Sequence, residues 1–285
     1  MSQINQPLGI FDSGLGGLTV VRALAQHLPN ESMIYFGDTA RLPYGNKSKA
    51  TVTRLSLEAL RFLEHLQIKA LVVACNSASA LAIDTLHKEA QVPVLGVVDA
   101  GARAAAGKTQ SGRVGVIGTR ATIGSRCYET KLQDLDSNIK VAATSCPLFV
   151  PFVEEGWVDK AVTRQVAEEY LEPIRQAKVD TLILGCTHYP LLRELIQEVM
   201  GSEVTLIDSG EAVTTEVASL LKENSLSASS APKHKFFVSD QIDQFQREAK
   251  RFLKDSVWGE FEAIDQSDIP WYDRGMLHGF KDPHS

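Results

Sequence analysis

Short apolar runs alternate with amphipathic stretches along most of the chain. The runs include LGIF, MIYF, ALVVAC and VPVLGVV, and the stretches between them include LTVVRALAQHL and SLEALRFLEHL. Short buried strands that alternate with helical periodicity are typical of a parallel sheet whose strands are connected by helices. The pattern therefore predicts an α/β protein.

The same pattern then begins again at RVGVIG and continues through VAAT, TLILGC and VTLID. Four landmarks recur in order at nearly constant spacing. The pairs are Gly9 and Gly115, Ile34 and Val141, Cys75 and Cys186, and Asp99 and Asp208, with offsets of 106, 107, 111 and 109. Chance similarity between strands is the alternative, but the matched cysteines favour two copies of one α/β unit.

The segment after Asp208 predicts a helix, a Ser-rich loop, a strand in KFFVSD and a helix in QIDQFQREAKRFL. A lone strand and helix cannot bury their own apolar face, so we expect them to return to the first unit. This gives a discontinuous first domain of residues 1–98 plus 209–285 and a second domain of residues 99–208. The closing segment from Trp271 has no assignment.

Composition and charge exclude several classes of protein. Apolar residues make up 44% and charged residues 22%, as in ordinary globular proteins. The net charge of −6, without a basic run, argues against nucleic acid and anionic membranes as partners. The N-terminal MSQINQPLG has no features of a secretion signal, and no apolar run reaches the roughly 18 residues of a membrane span. We expect a cytoplasmic protein whose four cysteines are free thiols.

Two of the cysteines occupy chemically informative positions. Cys75 and Cys186 each follow an apolar strand and precede a helical stretch. In open α/β sheets this edge binds ligands, and a helix N-terminus there stabilises a thiolate and lowers its pKa. A small buried hydrophobe is the alternative interpretation of either cysteine. Cys127 and Cys146 lack this setting and are interpreted as structural.

The residues after these cysteines are polar. Asn76 and Ser77 follow the first, and Thr187 and His188 follow the second. Their amide, hydroxyl and ring groups, beside free helix N–H groups, suit a carboxylate ligand, although Asn, Ser and Thr are also good N-caps. Both roles are compatible at one position.

The segment FDSGLGGL places Asp12 and Ser13 at another strand end, before a glycine-rich turn. A dinucleotide-binding loop is a poor match, because Thr19 stands where the third glycine belongs. The turn instead permits close approach of a ligand, and Asp12 either holds an ammonium group, orients a thiol or caps a helix.

Two further segments are candidates for ligand contact. The loop RLPYGNKS places Tyr44 and Gly45 after the second strand, where substrate contacts are common, although alone it is a turn. Glu154 and Glu155 in VPFVEEGW are expected near a helix start, where the helix dipole alone would explain them.

Four motifs, DSGLGGL, LPYG, ACNSASA and GCTHYPLL, occur in this order, and with them the chain resembles the glutamate racemases of the aspartate and glutamate racemase family. The resemblance implies two α/β domains related by a pseudo-twofold axis, with the active site in the cleft between them. It implies that glutamate is the small-molecule substrate, that neither a metal nor a cofactor is needed, and that the D-glutamate serves peptidoglycan synthesis. A homodimer is left open.

The resemblance also implies residue roles. Cys75 would deprotonate D-glutamate and Cys186 would deprotonate L-glutamate, and the helpers would be Asp12, His188 and Glu155 or Glu154. The implied substrate contacts are Asp12, Ser13, Tyr44, Gly45, Asn76, Ser77, Thr187 and His188.

Many relatives carry threonine where this chain has Ser77, and the hydroxyl is kept. His188 favours glutamate over aspartate. The alternatives are an aspartate racemase, a related isomerase or decarboxylase of the same fold, and a noncatalytic amino-acid binding protein.

Overall fold

The computed structural model describes residues 3–229, 231–254 and 256–264, and it contains two parallel sheets. The ten strands are β1 (Leu8–Asp12), β2 (Met33–Gly37), β3 (Ala70–Val73), β4 (Val94–Gly96), β5 (Arg113–Gly118), β6 (Lys140–Ser145), β7 (Thr181–Gly185), β8 (Thr205–Asp208), β9 (His234–Val238) and β10 (Glu260–Ala263). The segment from Trp271, which the sequence left unassigned, lies outside the described residues.

Helices connect the strands. They are α1 (Leu18–His27), α2 (Lys49–His65), α3 (Asn76–Glu89), α4 (Val97–Lys108), α5 (Arg120–Gly124), α6 (Cys127–Leu135), α7 (Phe149–Glu154), α8 (Ala161–Gln176), α9 (Arg193–Met200), α10 (Ser209–Glu223) and α11 (Ile242–Leu253). None of these described helices combines the length and apolar character needed to cross a bilayer.

The two sheets repeat one strand order. The first sheet runs β10-β9-β2-β1-β3-β4 and the second runs β6-β5-β7-β8, with every neighbouring pair parallel. Thus β2-β1-β3-β4 corresponds to β6-β5-β7-β8. The predicted fold class, two similar α/β units with parallel sheets, is confirmed. The carboxyl ends of β1, β3, β5 and β7 can therefore present equivalent loops to one cleft.

The tail after α10 adds to the first sheet. Strand β9 pairs with β2, from Met33 beside His234 to Gly37 beside Val238, and β10 pairs with β9. The sequence predicted β9 and α11 but not the short strand β10. Of the predicted domain boundaries, the one between residues 98 and 99 falls inside α4, and the one between 208 and 209 falls where β8 meets α10. The division into domains stays a prediction.

Buried apolar side chains join the two units. One cluster includes Ile10 of β1, Leu184 of β7, and residues of α1 and α10. The outer face of the first sheet packs against α2 and α3, and that of the second packs against α4 and α6. Because one core reaches both sheets, their loops are held at a fixed separation.

One strand is shorter than its apolar run. The run VPVLGVV predicts a strand that continues to Asp99, but β4 ends at Gly96 and α4 begins at Val97. Val97 and Val98 are buried on the helix rather than in the sheet. Asp99 lies in the first turn of α4 and pairs with Lys131 at 2.8 Å. A short apolar run does not distinguish a strand from a buried helix.

Candidate active site

A cavity of about 610 Å³ lies between the carboxyl ends of the two sheets. It brings together residues that the sequence placed at four separate strand ends. The predicted site residues that line it are Ser13, Tyr44, Gly45, Cys75, Asn76, Ser77, Glu154, Cys186, Thr187 and His188. Asp12, which directly precedes Ser13, does not line the cavity and is buried.

On the first side, Cys75 lies where β3 gives way to α3, as the sequence predicted. The N-cap residue of α3 is Cys75 itself, so the interpretation of Asn76 or Ser77 as the N-cap is wrong. Its thiol donates to the hydroxyl of Ser13 over 3.7 Å. Asn76 and Ser77 form the first turn of the helix and are both buried. This turn places free backbone N–H groups and polar side chains beside the sulfur, where an anionic group is favoured.

The expectation of a lowered thiol pKa is wrong for Cys75. Burial, and after it the negative charge of Asp12, raise the pKa of the Cys75 thiol to about 12. Burial also raises the pKa of Asp12, although the charge of His188 and backbone N–H groups oppose that rise. Backbone and Ser13 hydrogen bonds stabilise the thiolate, but desolvation is the larger effect. The thiol is therefore protonated at neutral pH.

On the second side, no helix begins directly after the cysteine. Cys186 lies in a bend, Thr187 and His188 form a turn, a short 3-10 helix spans Tyr189–Leu192, and α9 follows. The expected helix start is thus displaced from Cys186. The nearest ring is that of His188, whose Nδ1 lies 3.8 Å from Sγ of Cys186. A histidine side chain takes the position beside the sulfur that helix N–H groups have at Cys75.

His188 is held between a sulfur and a carboxylate. Its Nε2 lies 2.9 Å from Oε1 of Glu154. Burial opposes a charge on the ring, but hydrogen bonds to Cys186 and Glu154 outweigh it and raise the pKa of His188 to about 10. At neutral pH both ring nitrogens therefore carry protons, and Nδ1 donates to the Cys186 sulfur.

Of the two acids that the sequence left open, Glu154 faces the cavity and Glu155 is exposed. Both lie at the end of α7 rather than near a helix start, so that expectation is wrong. The end of α7 is held by a residue of α11. Nη1 of Arg251 donates to the carbonyl oxygens of Val153 and Glu154 at 3.0 and 2.7 Å.

The glycine-rich turn allows the two sides to meet. A Cβ atom added to Gly16 would lie 2.5 Å from Nδ1 of His188 and would overlap the hydroxyl of Thr187. The turn is also tied to the second unit, because the Thr19 hydroxyl donates to the carbonyl oxygen of Thr187 at 3.0 Å. Gly16 is thus required by close approach, and a phosphate-binding role is not needed to explain it.

Tyr44 and Gly45 reach the cavity through a loop that is fixed by buried charges. The Tyr44 hydroxyl donates to Oδ2 of Asp38 at 2.5 Å, and the Ser239 hydroxyl donates to Oδ1 of Asp38 at 3.0 Å. Arg41 also pairs with Asp38 at 2.9 Å. The tail strand β9, which ends beside Ser239, therefore supports a loop that lines the cavity.

Several residues that line the cavity were not predicted from the sequence as site residues. Thr119, Arg120, Leu148 and Tyr170 belong to the second unit and line the same cavity. Thr119 follows β5 as Ser13 follows β1, at the offset of 106 found for the first strands. The repeat could have identified it. Its hydroxyl lies 2.9 Å from that of Ser77, so it joins the two halves.

The other two cysteines do not line the cavity. Cys127 begins α6, and Cys146 is buried after β6. Within the described part of the chain, all four cysteines are free, and no group of three or more His, Cys, Asp or Glu side chains could hold a metal ion.

Both the sequence and the structure of this chain are similar to those of known proteins. The sequence profile of Asp/Glu/hydantoin racemases matches residues 18–217. The glutamate racemase of Geobacter metallireducens is 52% identical over 248 residues, covering 86% of this chain and 92% of its own length. The crystal structure of glutamate racemase isoform RacE1 from Bacillus anthracis superimposes with a TM-score of 0.88 at 40% identity, covering 92% of this chain and 98% of the other. That of the Francisella tularensis glutamate racemase in complex with D-glutamate gives 0.87 at 38% identity, covering 94% and 100%.

Proposed function

This chain belongs to the glutamate racemases of the Asp/Glu/hydantoin racemase family, and we propose that it interconverts L- and D-glutamate by proton transfer through Cys75 and Cys186. The observation that carries this mechanism is the placement of both cysteines at equivalent strand ends, on one cavity. Two groups that exchange protons from opposite faces of one carbon are what racemisation requires.

The reaction moves two protons and no other atoms. From L-glutamate, the Cys186 thiolate takes the proton from Cα and leaves a planar carbanion. The Cys75 thiol then gives its own proton to the opposite face, which yields D-glutamate, a Cys75 thiolate and a Cys186 thiol. The reverse reaction starts from that state. A protonated Cys75 and a cationic ring beside Cys186 suit the step from L- to D-glutamate.

The remaining groups support these transfers. His188, held by Glu154, supplies positive charge beside Cys186, and the negative charge of Asp12 helps to keep Cys75 protonated. The polar groups of Ser13, Asn76, Ser77 and Thr187, with the loop at Tyr44 and Gly45, bind the carboxylates and the ammonium of glutamate. Most of these side chains are buried, which strengthens their interactions because little water competes for them.

The biological setting follows from the same assignment. D-glutamate made by this reaction serves peptidoglycan synthesis, as the family resemblance implies. Four free cysteines suit a reducing compartment, which supports a cytoplasmic location.

Circular dichroism of the purified protein with either enantiomer tests the proposal. Both L- and D-glutamate are expected to reach the racemic mixture after exhaustive dialysis of the protein and without any added cofactor. The aspartate enantiomers are the control and should react much more slowly. Activity that disappears on dialysis and returns with pyridoxal phosphate would contradict the proposal, and so would a preference for aspartate.

A further inference from the structure

A buried chain of hydrogen bonds connects the two cysteine-bearing strand ends, and of its members Asn76 alone lines the cavity. Nδ2 of Asn76 lies 2.9 Å from the hydroxyl of Tyr128, which lies 3.0 Å from the hydroxyl of Ser209. The Ser209 hydroxyl lies 3.1 Å from the carbonyl oxygen of Leu184. Asn76 directly follows Cys75, and Leu184 precedes Cys186 by two residues. The chain thus joins the two sides of the site.

Counting protons fixes the direction of every bond in this chain. The Leu184 carbonyl can only accept, so the single proton of the Ser209 hydroxyl goes to it. The Tyr128 hydroxyl must then donate its own proton to Ser209. Its oxygen is left to accept, which orients the Asn76 amide with its NH₂ group toward Tyr128. Among the described residues, Oδ1 of Asn76 has no hydrogen-bond partner.

The surroundings are shaped to hold this chain. Asn76 and Tyr128 are each 3% exposed and Ser209 is 2% exposed, so water does not compete for the bonds. In α4, a Cβ atom added to Gly101 would lie 3.0 Å from Oγ of Ser209 and 3.4 Å from the Tyr128 hydroxyl. A glycine therefore leaves the room that the hydroxyl pair occupies.

We propose that Tyr128, together with Ser209, is a positioning residue for racemisation, which fixes the amide orientation of Asn76 in the cavity. This inference rests on the proposed function, because Asn76 is taken to contact glutamate. Tyr128 itself does not touch the substrate. Without its hydroxyl, the amide can turn over and present either its oxygen or its nitrogen to the same substrate group. Substrate binding then weakens while the two thiols remain in place.

Tyr128→Phe removes only the hydroxyl and is the direct test. We expect KM for glutamate to rise about tenfold, since one oriented hydrogen bond to a charged substrate is lost, with a smaller change in kcat. Ser209→Ala cuts the next bond and should raise KM in the same way, which keeps the test available if Tyr128→Phe does not fold. The control is Thr163→Val, which removes another buried hydroxyl, one that donates to the Trp157 carbonyl oxygen at 2.5 Å. It should lower Tm without raising KM.

A double-mutant cycle separates positioning from a general loss of stability. In an Asn76→Ala background, Tyr128→Phe should raise KM no further, because the amide that it orients is gone. A purely structural role would lower kcat through the folded fraction and leave KM unchanged, and it would overturn the inference. Additive effects of Tyr128→Phe and Asn76→Ala on KM would overturn it as well. If the parent protein does not racemise glutamate, the proposed function itself fails instead.

Discussion

The two halves of the site share a scaffold but differ in the groups beside the sulfur. Cys75 is the N-cap residue of a helix of 14 residues, and its neighbours are Ser13 and the buried carboxylate of Asp12. Cys186 is followed by a turn, and its neighbour is the cationic ring of His188, held by Glu154. The strand order around them is the same. Duplication therefore accounts for where the cysteines lie, and the local side chains account for the different electrostatic surroundings of each thiol.

The difference has a direct consequence for catalysis. Burial and Asp12 keep Cys75 protonated, since the pKa of its thiol is raised to about 12. The ring of His188 keeps its charge at neutral pH, because its pKa is raised to about 10. In the proposed mechanism, Cys75 thus starts as the proton donor, whereas Cys186 lies beside a positive charge. A symmetric pair of thiols would show no such difference between the two faces of the substrate.

The largest effect is expected from removing either sulfur. Cys75→Ala and Cys186→Ala should each lower kcat for racemisation about 10³-fold, because one face of the carbanion loses its proton carrier. Circular dichroism with L- and D-glutamate measures this. Cys127→Ala is the matched control, because Cys127 does not line the cavity, and it should keep the parental rate. A Cys75 or Cys186 variant that racemises at nearly the parental rate would refute the two-sided account.

A smaller loss is expected when the contact between the halves is disturbed. Gly16→Ala places a methyl group against Thr187 and His188 and should lower kcat/KM about 10²-fold by displacing the second side. The control is Gly107→Ala in α4, where nothing lies within 4 Å of an added Cβ. It should be as active as the parent and slightly more stable. Equal activity of the two variants would show that the close approach at Gly16 is unimportant.

Removing the carboxylate of the second side should change the pH profile. Glu154→Gln lowers the pKa of His188 below about 10, because a charged hydrogen-bond partner is lost while the bond to Cys186 remains. The ring then loses its proton at a lower pH, so the alkaline decline of kcat/KM should move to lower pH. Above pH 8 we expect kcat/KM to be severalfold lower than in the parent. Glu155→Gln, which alters an exposed acid, is the control. An unchanged alkaline limb in Glu154→Gln would exclude this role for Glu154.

The smallest effect concerns the tail, which belongs to the first sheet but supports the second side. Arg251 of α11 bonds the carbonyl oxygens of Val153 and Glu154, and the Phe252 ring packs edge-on against His188. Arg251→Ala should lower kcat/KM about threefold, since the hydrogen bonds are partly exposed. Arg247→Ala, on the same helix and exposed, should have no effect. The two variants are compared in the same racemisation assay. Equal rates would show that Arg251 does not support the second side of the site.

The scaffold was predictable because it depends on periodic patterns in the sequence. Alternating apolar runs predicted the strands, and the repeat placed Cys75 and Cys186 at equivalent edges of the two sheets. Thr119 was within reach of the same reasoning, because it follows β5 as Ser13 follows β1. The returning strand β9 was also predictable, since a lone strand and helix cannot bury their apolar face.

The electrostatics of the site were not accessible in this way. Helix-start reasoning predicted a lowered pKa for both cysteines, but it takes no account of burial, which dominates at Cys75. The choice between Glu154 and Glu155 depended on which of two adjacent residues at the end of α7 turns toward His188. Tyr128 carries no local motif at all, because its partners are 52 and 81 positions away in the sequence. Such contacts follow from tertiary packing alone.

Exchange of the Cα proton with solvent deuterium in the Cys75→Ser and Cys186→Ser variants tests the central claim most directly. Enantiomers have equal free energies, so kcat/KM for racemisation must fall equally in both directions and cannot distinguish the two sides. Exchange can. Cys75→Ser keeps Cys186 and should exchange L-glutamate faster than D-glutamate, whereas Cys186→Ser should exchange D-glutamate faster. The same enantiomer preference in both variants would contradict the assignment of one thiol to each face.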